Sequence, residues 1–237
     1  MKKFYALVAT QKEANGYKIT LDGRPIKTKL KHDLLAPNQS IAQIIMQEWA
    51  GQGDEILPDT MPITQILNTR IDRVSAERKT MRDMVLKYLN TDLICYRTDA
   101  PPPELGQAQA MTWDPYLEWF RQHFGSSLAT TTDLVALSQD VAAHTAVAGY
   151  IDGLDDDHFT VLQLITAIAG SIVLALAGLE GQADAQSIFT AIRVEENFKA
   201  KIYNEDFYGR DPAQDKKDNA LRADLDAALN YLSMLKN

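Results

Sequence analysis

Residues 159–179 run for 21 positions without a charged side chain, and such a run has two homes: the hydrocarbon of a membrane or the centre of a core. Its composition separates them. The run includes Gln163, Thr166 and Ser171, is rich in alanine, and is flanked by no basic cluster, whereas membrane spans are anchored by interfacial Lys and Arg. Asp155, Asp156 and Asp157 precede it instead. Carboxylates there suit the amino end of a helix in water, where they accept from free amides and complement the dipole. The expectation is therefore one central helix near 159–179, apolar all round and buried in a bundle. Close helix packing accounts for Gly170 and Ser171 within it.

The N-terminal part reads differently. Residues 1–10 suggest a first strand, since their apolar stretch is too short for a signal peptide. In residues 17–28 apolar and polar positions alternate around an Asp22-Gly23 pair, which favours a two-residue type I′ turn and sets Ile19 opposite Ile26. Pro25 lacks an amide for the ladder and belongs on an edge strand. Asn38 caps an amphipathic helix that carries Ile41, Ile44, Ile45 and Trp49 on one stripe and ends at Gly51 or Gly53. Helical periodicity then takes over, with helices expected at 70–87, 105–123, 139–151, 159–179, 183–202 and 218–235. Strands followed by helices imply an α+β fold, with a small β-rich N-terminal domain at 1–78 and a larger helical C-terminal domain at 79–237.

Charge is unevenly spread. Residues 1–70 carry 9 basic and 7 acidic side chains, residues 151–237 carry 8 and 15, and the whole chain is at −8. An acidic C-terminal part disfavours nucleic acid and anionic membrane and suits a partner presenting Lys or Arg. One cysteine excludes an internal disulfide framework. Cys95 lies between Leu93, Ile94 and Tyr96, with no histidine nearer in sequence than His123, which is the setting of a buried thiol rather than a nucleophile.

The remaining chemistry is sparse. His32, His123, His144 and His158 are scattered and not at metal-ligand spacing, and the aspartate triplet lacks the glycine and alternating oxygens of a calcium loop. No metal, cofactor or catalytic residue is assigned. Trp113-Asp114-Pro115 and Trp119 read as a helix start with buried aromatics. The unusual placement is in the helix at 183–202, where a stripe through Ile188, Phe189 and Ile192 continues into Glu195 and Glu196. Carboxylates on an apolar face are either paired internally, with Lys199 in (i, i+4) reach of Glu195, or left at the edge of a partner-binding groove.

Several stretches occur together in one order: Phe4-Tyr5, LDGRPIKT at 21–28, EWAGQ at 48–52, MPIT at 61–64, NTRIDR at 68–73, residues 88–97, WDP at 113–115, GSIVLALA at 170–177 and RVEE at 193–196. This ordered set resembles the Atp-twelve family, assembly chaperones of the F-type ATP synthase. The resemblance implies a non-enzymatic chaperone with a small β-containing N-terminal domain and a helical C-terminal one. It would bind the unassembled alpha subunit, shielding the surface that later meets beta, with no small-molecule substrate. The family implicates acidic residues of the late helix, here Glu195 and Glu196. Phe198, Lys199 and Glu205 follow as further partner-binding positions, where this chain departs from the family's aromatic, glutamine and Trp-Gly-Glu continuation. Starting at its first strand without an Arg-rich presequence, the chain is expected to be a bacterial cytoplasmic member, or a processed form from the mitochondrial matrix. The competing reading is a small-molecule hydrolase of mixed α+β fold, which needs a concave polar pocket joining a histidine to a carboxylate.

Overall fold

The computed structural model describes residues 1–202 and 212–236. They form an α+β chain of two compact units, Met1–Lys79 with Asp155–Val161 and Ala227–Asn237 in one, and Thr80–Leu154 with Leu162–Asp226 in the other.

The first unit holds the sheet. Strands β1 (Val8–Glu13) and β2 (Gly16–Leu21) are antiparallel, and β3 (Arg24–Pro25) and β4 (Leu35–Ala36) both pair with β2. Asp22 (φ 49°) and Gly23 (φ 79°) both take the left-handed conformation that a type I′ turn requires. The expected register follows: the Ile26 amide donates to the Ile19 carbonyl at 2.9 Å, and both side chains are buried. Pro25 lies exposed on a short edge strand. The first strand begins later than expected, at Val8. Residues 1–7 instead bridge elsewhere, with Lys2 opposite Glu55 and the Leu7 amide donating to Asp22 Oδ1 at 2.8 Å, and Phe4 is left exposed while Tyr5 is buried.

Helix α1 (Gln39–Ala50) lies on β1 and β2. Asn38 caps it, its Oδ1 accepting from the Ile41 amide at 3.0 Å, and Ile41 and Ile45 are fully buried, worth about 2 kcal/mol each in apolar transfer. Its Glu48 supplies the cap of the next helix, α2 (Pro62–Thr69), accepting from the Ile63 and Thr64 amides at 2.7 and 2.8 Å and from Thr64 Oγ1 at 2.6 Å. Burial raises the Glu48 pKa despite these bonds. The helix expected at 70–87 is interrupted at its start by a π-helical turn, Arg70–Val74, before α3 (Ser75–Lys87).

The three aspartates divide their tasks, and only Asp155 is a cap, accepting from the His158 amide at 2.8 Å. Asp156 pairs with Arg78 at 2.8 Å, and the Arg78 guanidinium lies 4.6 Å from the Phe159 ring centre. Asp157 is buried, accepts from the Tyr231 hydroxyl at 2.5 Å and stands 3.4 Å from Arg70 Nε. Local sequence shows acids before a helix; it does not show which cations and hydroxyls the fold brings to them.

The second unit is helical: α4 (Pro103–Phe124), α5 (Val141–Gly153), α7 (Ile172–Leu179), α8 (Ala185–Ile192) and α9 (Val194–Ile202), with most of α6 (Asp156–Ala169) and the first part of α10 (Pro212–Leu235). The charge-free run is not one helix. It breaks between α6 and α7 at Gly170, which takes φ 62°, and every residue of α7 is buried. No helix among the described residues is long and apolar enough to cross a membrane. A Cβ built on Gly170 would meet nothing within 4 Å, so its glycine serves the backbone angle and not close packing.

The break is held by the segment around Cys95. Asp92, fully buried, accepts from the Val173 amide at 3.0 Å and from the Ile94 amide at 3.2 Å, while Ser171 Oγ accepts from Leu174 at 3.1 Å. The Leu93 amide donates to the Gly170 carbonyl at 2.9 Å. A carboxylate and a serine thus satisfy amides at the start of α7 that have no partner within the helix. Trp113-Asp114-Pro115 is not a helix start but lies inside α4, with Trp113 buried and Trp119 partly so.

Replacing Gly170 by Ala forces a Cβ into the left-handed region and is expected to cost about 1–2 kcal/mol without any clash, measured as a lower urea midpoint at unchanged slope. Asp92 gives a pH signature. Burial raises its pKa to about 6, against the opposing pull of Ser171 and the Val173, Ile94 and Ile172 amides. A carboxyl raised on folding contributes stability that is complete below its unfolded pKa and is lost as pH rises through about 6. Unfolding titrations from pH 3 to 7 are expected to show a shallower loss over that interval in Asp92→Asn than in the parent protein.

Candidate functional site

The acidic residues singled out in the sequence sit on α9, and the expected helix at 183–202 is two helices divided at Arg193 (φ −106°, ψ 12°). The cause of the division is visible in the Ala191 carbonyl. It accepts from Trp113 Nε1 at 2.8 Å instead of continuing the helical ladder. The apolar stripe of α8 therefore ends at Ile192, and Glu195 and Glu196 lie in the first turn of a new helix, where carboxylates complement the dipole.

Their partners differ from the (i, i+4) lysine that local spacing offered. Glu195 is half-buried, and its Oε1 accepts from Gln109 Nε2 at 2.9 Å. Gln109 is itself buried on α4, with its Oε1 accepting from the Thr98 amide at 2.8 Å. This relay fixes one face of the Glu195 carboxylate with a neutral donor and leaves its charge uncompensated by any ion pair among the described residues. Glu196 is exposed and lies 3.5 Å from Arg193 Nη1. Arg193, largely buried, also approaches Asp218 of α10, Nε to Oδ1 at 3.3 Å, and Gln214 donates to the same Asp218 oxygen at 2.8 Å. Arg222, one helical turn beyond Asp218, stacks its guanidinium 4.1 Å from the Phe189 ring centre. Phe198 is half-buried and Lys199 exposed, and among the described residues neither Glu195 nor another acid pairs with Lys199. Glu205 lies outside the described residues.

One face of α9 thus runs Glu195, Phe198 and Ile202 at helical spacing, and Ile202 is 56% exposed. A carboxylate without a counter-ion among the described residues at one end and an open apolar side chain at the other are features of a surface that can receive a partner. Sequence reasoning missed Gln109, Arg193 and Asp218, which orient the helix. Arg193 adjoins the two glutamates in sequence, but Gln109 and Asp218 carried no local signal, because their roles arise only when α4 and α10 meet α8 and α9.

Two histidines of the first unit meet carboxylates. His32 Nδ1 stands 3.0 Å from Asp72 at a surface turn, and His158 Nδ1 stands 2.8 Å from Asp155 at the start of α6. His144 Nε2 meets Asn90 Oδ1 at 3.1 Å. Cys95 is fully buried, and its thiol pKa is pushed far up by burial and by the neighbouring Asp92. Among the described residues, no group of three or more His, Cys, Asp or Glu side chains is placed to hold a metal ion.

This α+β architecture is shared with solved structures of chaperone-family proteins. The chain resembles the crystal structure of Atp12 from Paracoccus denitrificans with a TM-score of 0.86 and 29% identity, over 98% of this chain and 97% of that one. An aspartate-to-lysine mutant of the same Paracoccus protein matches equally, with the same score and coverage. The Atu1473 protein of Agrobacterium tumefaciens, a chaperone candidate, matches with a TM-score of 0.89 and 28% identity, over 99% of this chain and 86% of that one. The family model of the ATP12 chaperone protein matches residues 2–121, and the chain belongs to that family. Helix α9 lies beyond the residues matched by the family model and within the span of the structural matches.

Replacing Gln109 by Leu leaves the Glu195 carboxylate and the Thr98 amide without their partner. The expected loss is about 1–3 kcal/mol, read from chemical unfolding, and it should shrink when Glu195 is changed to Gln in the same background.

Proposed function

We propose that this chain is an assembly chaperone of the F-type ATP synthase that binds the unassembled alpha subunit and covers the surface alpha later offers to beta. Membership of the ATP12 chaperone family supports the assembly role. The observation that carries the choice of site is the α9 face, where Glu195 is held by a neutral glutamine and not by a cation, beside half-buried Phe198 and exposed Ile202.

A subunit awaiting its partner exposes an apolar interface edged by polar groups, and such a surface aggregates unless covered. Reversible cover calls for a modest apolar contact with charges that steer and discriminate, because a large apolar interface would not release. Glu195 and Glu196 meet an Arg or Lys of the client, and Phe198 and Ile202 supply the apolar part. Lys199 is placed on the same proposed surface, and Glu205 is included in the proposed contact from its position in the sequence alone. The setting we propose is the bacterial cytoplasm, in keeping with the bacterial relatives, or the mitochondrial matrix for a processed form.

Tagged alpha and beta subunits supplied separately provide the test. The chain is expected to co-purify with alpha and not with beta, and Glu195→Lys is expected to weaken the complex by about tenfold or more, equivalent to about 1.4 kcal/mol. Equal capture by both subunits, or none by alpha, overturns the reading.

A further inference from the structure

The first unit carries a second feature suited to a partner. Residues 24–31 contain Arg24, Lys27, Lys29 and Lys31 and no acid, in a chain whose net charge is −8. Lys27 is paired with Asp33 at 2.6 Å. Arg24, Lys29 and Lys31 are exposed and enter no ion pair among the described residues. Between the two lysines stands Leu30, 61% exposed.

The turn that displays these side chains is held unusually firmly. The Thr28 amide donates to the His32 carbonyl at 2.9 Å and the Lys31 amide to the Thr28 carbonyl at 3.0 Å. This is a three-residue hairpin loop whose last position is left-handed and normally glycine. Here Lys31 occupies it, at φ 69°. The conformation is fixed from beneath by Asp72, at the centre of the π-helical turn. Its Oδ1 accepts from Thr28 Oγ1 at 2.6 Å and faces His32 Nδ1 at 3.0 Å, and its Oδ2 accepts from the Leu30 amide at 3.1 Å. Thr28 is buried and the Asp72 side chain only 10% exposed. A strained lysine and a well-anchored carboxylate thus keep two cations and a leucine pointing outward, where they gain no burial. Backbone strain that the surroundings over-determine is a mark of a working surface.

We propose that Lys29, Leu30 and Lys31 form a second client contact, which seats Leu30 in a small apolar notch rimmed by carboxylates on the partner protein. The inference rests on the chaperone reading above for the identity of the client. Charge complementarity selects an acidic rim, and the single leucine selects a protein notch over a lipid surface, since stable membrane attachment needs more buried apolar area than one side chain supplies. Firm anchoring suits this use, because a preorganised loop loses little entropy on docking.

Binding of purified alpha subunit is measured for the parent chain and for Lys29→Glu/Lys31→Glu, Leu30→Ser and Lys31→Gly, the last of which fits the left-handed angle and keeps the turn. The double charge reversal is expected to weaken binding about tenfold and to flatten its salt dependence, with Leu30→Ser and Lys31→Gly each weakening it several-fold and thermal midpoints staying close to that of the parent. Leu30→Cys, labelled with a photo-crosslinker while Cys95 stays buried, is expected to join a client segment containing Asp or Glu. If the parent chain binds alpha and these variants bind equally well, or the crosslink maps to a segment without acids, the second contact is wrong while the chaperone reading stands. Absence of binding by the parent chain removes the client instead. Capture of the parent chain by phosphatidylglycerol vesicles, lost on charge reversal, overturns the proposal in favour of a lipid surface.

Discussion

Asp92 is the point on which the helical unit turns. A fully buried carboxylate is costly unless its oxygens are occupied, and here they meet the amides of Val173 and Ile94 from two segments far apart in sequence. That junction lets a wholly apolar helix begin in the interior, because the amides at its start are satisfied without water. With α7 placed, α4 and α8 pack against it, and α4 then presents Trp113 and Gln109 to α8 and α9. The geometry of α9 follows at one remove: Trp113 takes the Ala191 carbonyl and divides the helices, and Gln109 takes the Glu195 carboxylate.

The same logic, a side chain from one element completing the hydrogen bonding of another, recurs in the first unit. Glu48 of α1 caps α2, and Asp72 holds the 28–32 turn through one side-chain hydroxyl and one amide. Burial pushes the Asp72 carboxyl upward, but hydrogen bonds from Thr28, His32 and the Leu30 amide outweigh it and leave its pKa below the ordinary value. Glu48 goes the other way, since burial there outweighs its bonds from Thr64 and Ile63. Two carboxylates that each complete another segment's hydrogen bonding are tuned in opposite directions by the balance of burial against hydrogen bonds.

For a chaperone this economy has a functional side. Interior carboxylates are committed to amides, and buried Asp157 to Tyr231 and Arg70, whereas Glu195 is committed only to a neutral amide group. In the proposed client contact, a charge held in place yet not neutralised keeps its attraction for an incoming cation, as a reversible contact requires. The 28–32 turn shows the converse, with cations and a leucine displayed by an anchored loop.

Sequence by itself determined the elements whose causes are local. The Asp22-Gly23 turn and its Ile19–Ile26 register, the Asn38 cap, the burial of Cys95 and the α+β order were all legible, because turn angles, caps and periodicity act within a few residues. Tertiary structure decided where continuous patterns break and whom each polar group meets. Apolar periodicity through 159–179 and 183–202 gave no sign of the divisions at Gly170 and Arg193, since the groups that enforce them, Asp92 and Trp113, come from distant positions. Lys199 was the nearest partner along the helix for Glu195, but a buried glutamine on another helix holds the carboxylate at 2.9 Å. Spacing along one helix shows which side chains can meet; packing between helices decides which do.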